Sequence, residues 1–390
     1  MDAYIVKAYR SAVGKAGRGS FKNYRSDDLA VDVIKHLVAQ VPNLNTDLID
    51  DVIVGCANPE GEQGLQIGRQ IALRALGKEV PGQTVNRYCA SGLETISIAS
   101  AKINAGMGEI YIAGGTESMS MIPMTGYKLA PSYNVAKETP DYVVSMGITA
   151  EAVGKKWGIT REEADAFAVQ SHARAAKAID AGLFTDEIVP ITVPEVFVKN
   201  DKRVETSKVV SMDEGLRRGT SVEGLARLRP AFQAGGIVTA GNSSQTSDGA
   251  AFVLIVSERV MKELKLEPIA RLMSCSVAGV EPLLMGIGPC AAIPKALKQA
   301  GLTLSDIDLT ELNEAFATQS LAVIKEMGLD PSKVNVNGGA IALGHPLGCT
   351  GAKLSTQLFS ELRRRKQKYG MVTACVGGGI GIAGVYEFLN

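Results

Sequence analysis

Twice along this chain a Val-Asn pair leads into a helix start built from small residues and a cysteine. The first passage is Val85-Asn86-Arg87-Tyr88-Cys89-Ala90-Ser91-Gly92. The second runs from Val334-Asn335 to Gly344-His345-Pro346-Leu347-Gly348-Cys349-Thr350-Gly351. Each helix then leads to an apolar strand that ends in glycines, at residues 109–115 and 369–379. Identity between the passages is low, but the order of features is shared. Strand, glycine-rich turn, helix and strand in succession constrain the chain to an α/β fold. The echo makes two similar halves the simplest organisation.

The remaining segments agree. Residues 3–9 read as a first strand, followed by a glycine-rich loop at 14–19 and a helix from Ser26 with Leu29, Val33, Ile34 and Leu37 at helical spacing. Residues 51–55 read as a buried strand and 66–76 as a helix. Later, 250–256 and 270–275 read as strands, 291–300 as a helix, and 309–312 as a strand leading to another helix. This alternation predicts a mostly parallel sheet covered on both faces. Between 118 and 244 the character changes. Met119, Met121, Met124, Pro123, Pro131 and Pro140 precede a charged helix at 160–181 and a polar, proline-spaced stretch at 190–208. The expected organisation is therefore one half from 1–117 with 245–262, an inserted lobe at 118–244, and a second half at 263–390.

With 390 residues there is material for a large core and more than one lobe. Forty-two glycines against nine Phe and one Trp imply a core of Ala, Val, Ile and Leu. Forty-one basic and 41 acidic residues balance, so no global charge draws the chain to nucleic acid or anionic membranes. No apolar run approaches the roughly 20 residues that span a bilayer. Six scattered cysteines argue against a disulfide framework, and no Cys or His spacing predicts a metal. The first residues read as a strand rather than a leader, and residues 387–390 are not a targeting address. A cytoplasmic location is expected.

Few residues can carry chemistry. Of three histidines, His36 and His172 fall in helical patterns and are expected to be solvated or capping. His345 stands between Gly344 and Pro346. It reads either as a stiffly held general base or as a structural loop residue. Cys56, Cys275 and Cys290 lie in or beside apolar runs and Cys349 opens a helix, so these read as small hydrophobes. Cys89 heads a helix, where amides and dipole lower a thiol's pKa; the alternative is a buried structural cysteine. Cys375 precedes Val376-Gly377-Gly378-Gly379, whose amides can face a substrate. Asn313, in Asn313-Glu314-Ala315-Phe316, is either a helix N-cap or a polar site residue. Residues 379–384 fit G-x-G-x-x-G, but a strand follows and no acidic residue lies at the required distance, so no dinucleotide site is expected.

The segments NRYCASGL, AGGTESMS, SMGITAE, LRPAF, GIVTAGNSSQTSDGAA, ELNEAFA, NVNGGAIALGHPLGCTG and CVGGGIG occur in this order from residue 86 to 381. As a set they resemble the thiolase family, and within it the 3-ketoacyl-CoA thiolase (acetyl-CoA acyltransferase) branch. The resemblance implies duplicated βαβαβαββ halves in a five-layer αβαβα arrangement with an inserted loop domain that binds CoA and substrate. It implies Cys89 as the acylated nucleophile, His345 as the base that takes its proton, and Cys375 as the acid/base at the α-carbon of acetyl-CoA. Asn313 would hold a water that forms one oxyanion site with His345, and the amides of Cys89 and Gly377 would form the other. Arg217 matches a residue near the adenine, Leu228 and Phe232 the pantetheine channel, and Ser244 a bond to its amide. Met146, Ala240 and Ala315 match further channel residues.

Short-chain members often carry His where this chain has Ser145, and Gly224 replaces a serine sometimes used near CoA. With NRYC in place of NQLC-like sequences, these departures lean toward degradation of longer chains; the alternative is a biosynthetic acetoacetyl-CoA thiolase. The resemblance also implies CoA as co-substrate with no permanently bound cofactor, CoA thioesters as partners, and a homodimer or homotetramer. It leaves room for a hydratase/dehydrogenase partner.

Overall fold

A computed structural model describes residues 2–389. The chain begins with β1 (Ala3–Ser11), α1 (Ser26–Ala39), β2 (Asp51–Gly55), α2 (Ile67–Ala75), β3 (Gly82–Val85), α3 (Ser91–Asn104) and β4 (Ile110–Ser118). After β4 the chain leaves the sheet for α4 (Met146–Trp157), α5 (Arg161–Asp180) and a separate hairpin of β5 (Ile191–Lys199) and β6 (Lys202–Val210). It returns with β7 (Ser247–Ser257) and continues through β8 (Ala270–Gly279), α6 (Gly288–Ala300), β9 (Leu309–Leu312), α7 (Ala317–Met327), α8 (Ala340–Leu343), α9 (Thr350–Arg365), β10 (Tyr369–Val376) and β11 (Ile380–Phe388). The polar stretch at 190–208 is thus a hairpin. Its alternation of buried Ile191 and Val193 with exposed Thr192 and Pro194 is the signature of a half-buried strand.

The sheet is mixed, with antiparallel pairs outnumbering parallel ones, and not mostly parallel as the strand–helix alternation predicts, because β7, β1, β11 and β8 enter by antiparallel pairing. The two halves share one scheme. In the first, β2 runs parallel to β3 and β4, β4 is antiparallel to β7, and β7 is antiparallel to β1. In the second, β9 runs parallel to β10, β10 is antiparallel to β11, and β11 is antiparallel to β8. The counterpart of β3 is reduced to a single parallel bridge, Thr310 to Val334. The two Val-Asn pairs of the sequence therefore occupy equivalent places. One register pair, Ile5 with Ala270, joins both sheets edge to edge.

Strands β2, β4, β7, β10 and β11 are buried on both faces along almost their whole length, which explains their unbroken apolar runs, whereas β1 and β8 are only partly buried. Val52, Val54 and Ile112 face α1 and α2, packing against Leu29, Ile34, Leu37, Ile67 and Ile71. The alternate residues Ile53, Tyr111 and Ala113 face inward to Leu93, Ile96, Ala99 and Ile103 of α3. The same inner layer holds Leu354, Leu358 and Leu362 of α9, and it is closed below by Val372, Ala374, Ile382 and Tyr386 of the second sheet. On that sheet's far side Met371, Ala383 and Val385 pack on Ala292, Ile293 and Ala296 of α6. The order helix, sheet, helix, sheet, helix makes five layers.

The segment between β4 and β7 is bound to the first half by charge. Arg10 on β1 donates from Nε to Glu187 (2.8 Å) and from both terminal nitrogens to Asp213 (2.8 and 2.9 Å), and all three side chains are buried. Ile188 and Val189 of this segment also pair with Arg10 and Ser11. Among the described residues no helix is long and apolar enough to cross a membrane.

Candidate active site

Glycines bring the two central helices together at their N-terminal ends. A Cβ on Gly92 would lie 2.8 Å from the Ala352 nitrogen, and one on Gly351 would collide with the Leu93 backbone. Only residues without side chains let α3 and α9 approach so closely. The first turn of each helix, with the loop before it, thereby faces the other across the centre of the molecule.

Cys89 sits in a single 3₁₀ turn, Tyr88–Ala90, directly before α3. Tyr88 has φ of +43°, a left-handed conformation unusual for a bulky side chain. Asn86 holds it there: its Oδ1 accepts from the Tyr88 amide (2.9 Å) and its Nδ2 donates to the Ala57 carbonyl (3.0 Å). Ser91 Oγ donates to the Tyr88 carbonyl (2.7 Å) and accepts from the Arg87 amide (2.9 Å). The turn is pinned on both sides of the cysteine.

His345 arrives from the other half. Its amide donates to Ser247 Oγ (3.1 Å), and its Nδ1 lies 2.6 Å from Thr350 Oγ1, which donates to the Pro346 carbonyl (2.9 Å). Thr350 has one hydroxyl proton and gives it to that carbonyl. We therefore assign the imidazole proton to Nδ1, donating to Thr350, which leaves Nε2 with a free lone pair. Asn313 Nδ2 lies 3.3 Å from Nε2, and Asn313 Oδ1 is buried without a protein partner. Asn313 is not an N-cap, since α7 starts at Ala317 with Phe316 in the capping position.

Cys89, His345, Cys375 and Gly377 line one cavity of about 420 Å³ with Met146, Ala315, Phe232, Ser244, Tyr88 and Tyr142. No Lys, Arg, Asp or Glu is among its lining residues. A second cavity of about 410 Å³ continues outward, sharing Phe232, Ser243, Ser244 and Thr246 and adding Ala240, Arg217, Lys15 and Arg18. Gly147 admits the Phe232 ring against the start of α4, and Phe232 meets Phe316 edge-on at 6.1 Å. Leu228 lines neither cavity; it packs over Gly241, and its carbonyl accepts from Arg161. All the other candidate residues are gathered at these cavities or, for Asn313, directly behind His345.

The electrostatics correct two expectations. Burial raises the Cys89 thiol to about 12, although the amides of Gly377 and of Cys89 itself pull the other way. Helix-start amides oppose desolvation here without overcoming it, so the resting group is a thiol. Burial, reinforced by Lys353, lowers His345 to about 3, so the imidazole is neutral. Cys375 is raised too, by burial first and then by the neighbouring Cys89. At rest all three groups are uncharged. His172 is a second correction. It is buried, its Nδ1 accepts from the Arg217 amide (3.3 Å), and burial lowers it to about 4. Helical periodicity could not show that α5 turns this face toward the chain that carries Arg217.

Two site residues escaped sequence reasoning. Thr350 is five positions after His345, a spacing that carries no signal until the loop is folded. Glu117 is buried, and its carboxylate accepts from the amides of Ala57 (2.7 Å) and Gly348 (2.8 Å) and from Gln63 Nε2 (2.6 Å). It clamps the loop bearing His345 to the first half, and burial raises its pKa. Its motif stood in the sequence, but the partners lie 54 to 231 positions away.

Comparison with known proteins gives this geometry a family. The description "Thiolase, N-terminal domain" matches residues 3–259 and "Thiolase, C-terminal domain" matches 266–388. The 3-ketoacyl-CoA thiolase of Bacillus subtilis (strain 168) is 52% identical over 388 residues, covering 99% of each chain. A 3-oxoadipyl-CoA/3-oxo-5,6-dehydrosuberyl-CoA thiolase of Escherichia coli (strain K12) is 42% identical over 99% of each chain. Among solved structures, the Bacillus anthracis acetyl-CoA acetyltransferase superposes with a TM-score of 0.88 at 42% identity, covering 100% of this chain and 99% of that one. Both halves are matched in order, and half the residues are shared end to end with one such enzyme. The protein therefore belongs to the thiolase family of acyltransferases.

Proposed function

We propose that the protein cleaves 3-ketoacyl-CoA with CoA, giving acetyl-CoA and a shortened acyl-CoA, through an acyl-Cys89 intermediate. The observation that carries this reading is the convergence of Cys89, His345, Cys375 and Gly377 on one uncharged cavity that opens toward cations.

His345 Nε2 takes the thiol proton as Cys89 sulfur bonds to the 3-keto carbon; the neutral pair at rest makes this transfer part of the attack. The tetrahedral intermediate collapses by breaking the Cα–Cβ bond, and the electron pair passes into an acetyl-CoA enolate. The Nε2–H of the new imidazolium, with a water on Asn313, stabilises the enolate oxygen, and Cys375 protonates the carbon. The Cys375 thiolate then takes the proton of the incoming CoA thiol, which attacks the acyl-Cys89 thioester. That oxyanion is held by the amides of Cys89 and Gly377, a type of donor whose removal typically costs about 3–4 kcal/mol in barrier height. Cys89 leaves and recovers its proton from His345.

The uncharged lining, with Met124, Met146, Met285, Leu347 and Tyr142, supports an apolar acyl chain over one ending in a carboxylate. The residues between β4 and β7 supply Met146, Phe232, Ala240, Ser244 and Arg217, which supports their reading as a CoA- and substrate-binding insertion. Strand β3 ends the sheet with one edge unpaired, which supports a homo-oligomer, dimer or tetramer. We place this activity in fatty-acid β-oxidation in the cytoplasm, by analogy with the bacterial relative of highest identity given above. A second reading, condensation of two acetyl-CoA, is favoured by the likeness to an acetyl-CoA acetyltransferase. Comparing kcat/KM for 3-ketooctanoyl-CoA and acetoacetyl-CoA decides between them. The degradative reading expects the longer substrate to be at least as good; strict preference for acetoacetyl-CoA would overturn it.

A further inference from the structure

The turn that bears Cys89 and the loop that bears His345 belong to different halves of the chain, yet both are tied to one carboxylate oxygen. Oε2 of Glu117, at the end of β4, accepts from the Ala57 amide (2.7 Å) and from the Gly348 amide (2.8 Å). Gly348 follows His345 by three residues, and its seat is close. A Cβ there would meet the Cys56 backbone at 2.7 Å and Glu117 Oε2 at 2.8 Å. Ala57 leads to the other group. Its carbonyl accepts from Asn86 Nδ2 (3.0 Å), and Asn86 Oδ1 accepts from the amide of Tyr88, the residue before Cys89 (2.9 Å). A short run of hydrogen bonds through a single oxygen thus joins the two segments.

The other oxygen fixes the carboxylate itself. Oε1 accepts from Gln63 Nε2 (2.6 Å) and, more weakly, from the Asn58 amide (3.4 Å). Gln63 is oriented in turn, since its Oε1 accepts from the Ser118 amide (2.6 Å) and its Nε2 also donates to the Asn58 carbonyl (2.9 Å). Every one of these partners of Glu117 is a donor, which suits an acceptor-only carboxylate and no other side chain of this shape. Glu117 and Gln63 are 1% and 0% exposed, so solvent does not replace a bond lost between them.

We infer that Glu117 is a positioning residue for the reaction, its Oε2 setting the register between the turn that carries Cys89 and the loop that carries His345. This rests on the thiolase reading above, in which His345 takes the Cys89 proton. Glu117 is not among the residues lining the reaction cavity, so it acts through the two backbones it holds.

The test is thiolysis of 3-ketooctanoyl-CoA by Glu117→Gln and by the exchange variant Glu117→Gln/Gln63→Glu. The single variant turns an NH2 group toward a donor whichever way its carboxamide lies. It should lose about 100-fold in kcat, the effect of a small misplacement of reacting groups, with KM within about threefold of wild type. In the exchange variant the carboxamide at 117 donates to the new carboxylate at 63, and its oxygen keeps both amides. At least about tenfold of kcat should return. Alkylation of Cys89 by iodoacetamide separates register from packing: Glu117→Gln should react more slowly than wild type, whereas a site merely loosened reacts faster. Asn86→Asp, at an exposed position, cannot donate to the Ala57 carbonyl and tests the same link without a buried substitution. It should lower kcat about tenfold. Wild-type kcat in Glu117→Gln or Asn86→Asp, faster alkylation, or an exchange variant no better than the single one overturns the role of Glu117. A wild type that cleaves no 3-ketoacyl-CoA overturns the reaction on which it rests.

Discussion

At the residue scale the proposed chemistry depends on a neutral Cys89–His345 pair held in register. Thr350 is the residue that sets the imidazole's tautomer, through Nδ1 at 2.6 Å and the Pro346 carbonyl beyond. Thr350→Val keeps the shape and removes the acceptor for Nδ1–H. It should lower kcat for thiolysis by about 10–100-fold, taking as a guide the effect of losing the hydrogen-bond partner that orients a metal-bound histidine. Thr350→Ser should restore most of the rate. A Val variant as fast as wild type in steady-state assays would remove Thr350 from the mechanism. Cys89, His345 and Cys375 stood out as candidates in the sequence, because small residues around a polar one mark backbone that must come close to something, but their proposed roles came only with the resemblance. The protonation state of Cys89 was not legible. It depends on burial between halves separated by some 250 positions in the chain, and that burial outweighs the amides of the helix start.

The element that matters most is the paired start of α3 and α9. Gly351→Ala would set a Cβ against the Leu93 backbone and push these helices apart. The account expects at least a hundredfold loss of activity, the cost of about 1 Å of misplacement between reacting groups, together with a lower melting temperature. Full activity in a variant of normal stability would show that the close approach is not needed. At this scale the sequence was informative wherever both faces of a strand are buried, as in β2, β4 and β10. It was least informative where a partner is supplied from afar. The lone bridge at Val334 is too short to announce a strand, and the buried face of α5 around His172 is set by residues of the loop it covers.

For the whole molecule, the segment between β4 and β7 is part of the framework and not an appendage. Arg10 stands between Glu187 and Asp213 with almost no solvent contact. Arg10→Met would leave two buried carboxylates without their cation and should cost about 3–5 kcal/mol at neutral pH by denaturant unfolding. The sign of the pH dependence follows. Burial already raises the Glu187 carboxyl, and loss of Arg10 would raise it further. The folded variant would then bind protons more tightly than the unfolded chain, so its deficit should narrow as the pH falls toward 5. A deficit that widens on acidification would contradict this.

The central claim is that Cys89 carries the acyl group, and peptide mass spectrometry after brief incubation with acetyl-CoA tests it most directly. The account predicts an acetyl adduct on the peptide containing Cys89, absent in Cys89→Ala and still formed in Cys375→Ser. An adduct on any other residue, or one that survives Cys89→Ala, would contradict it.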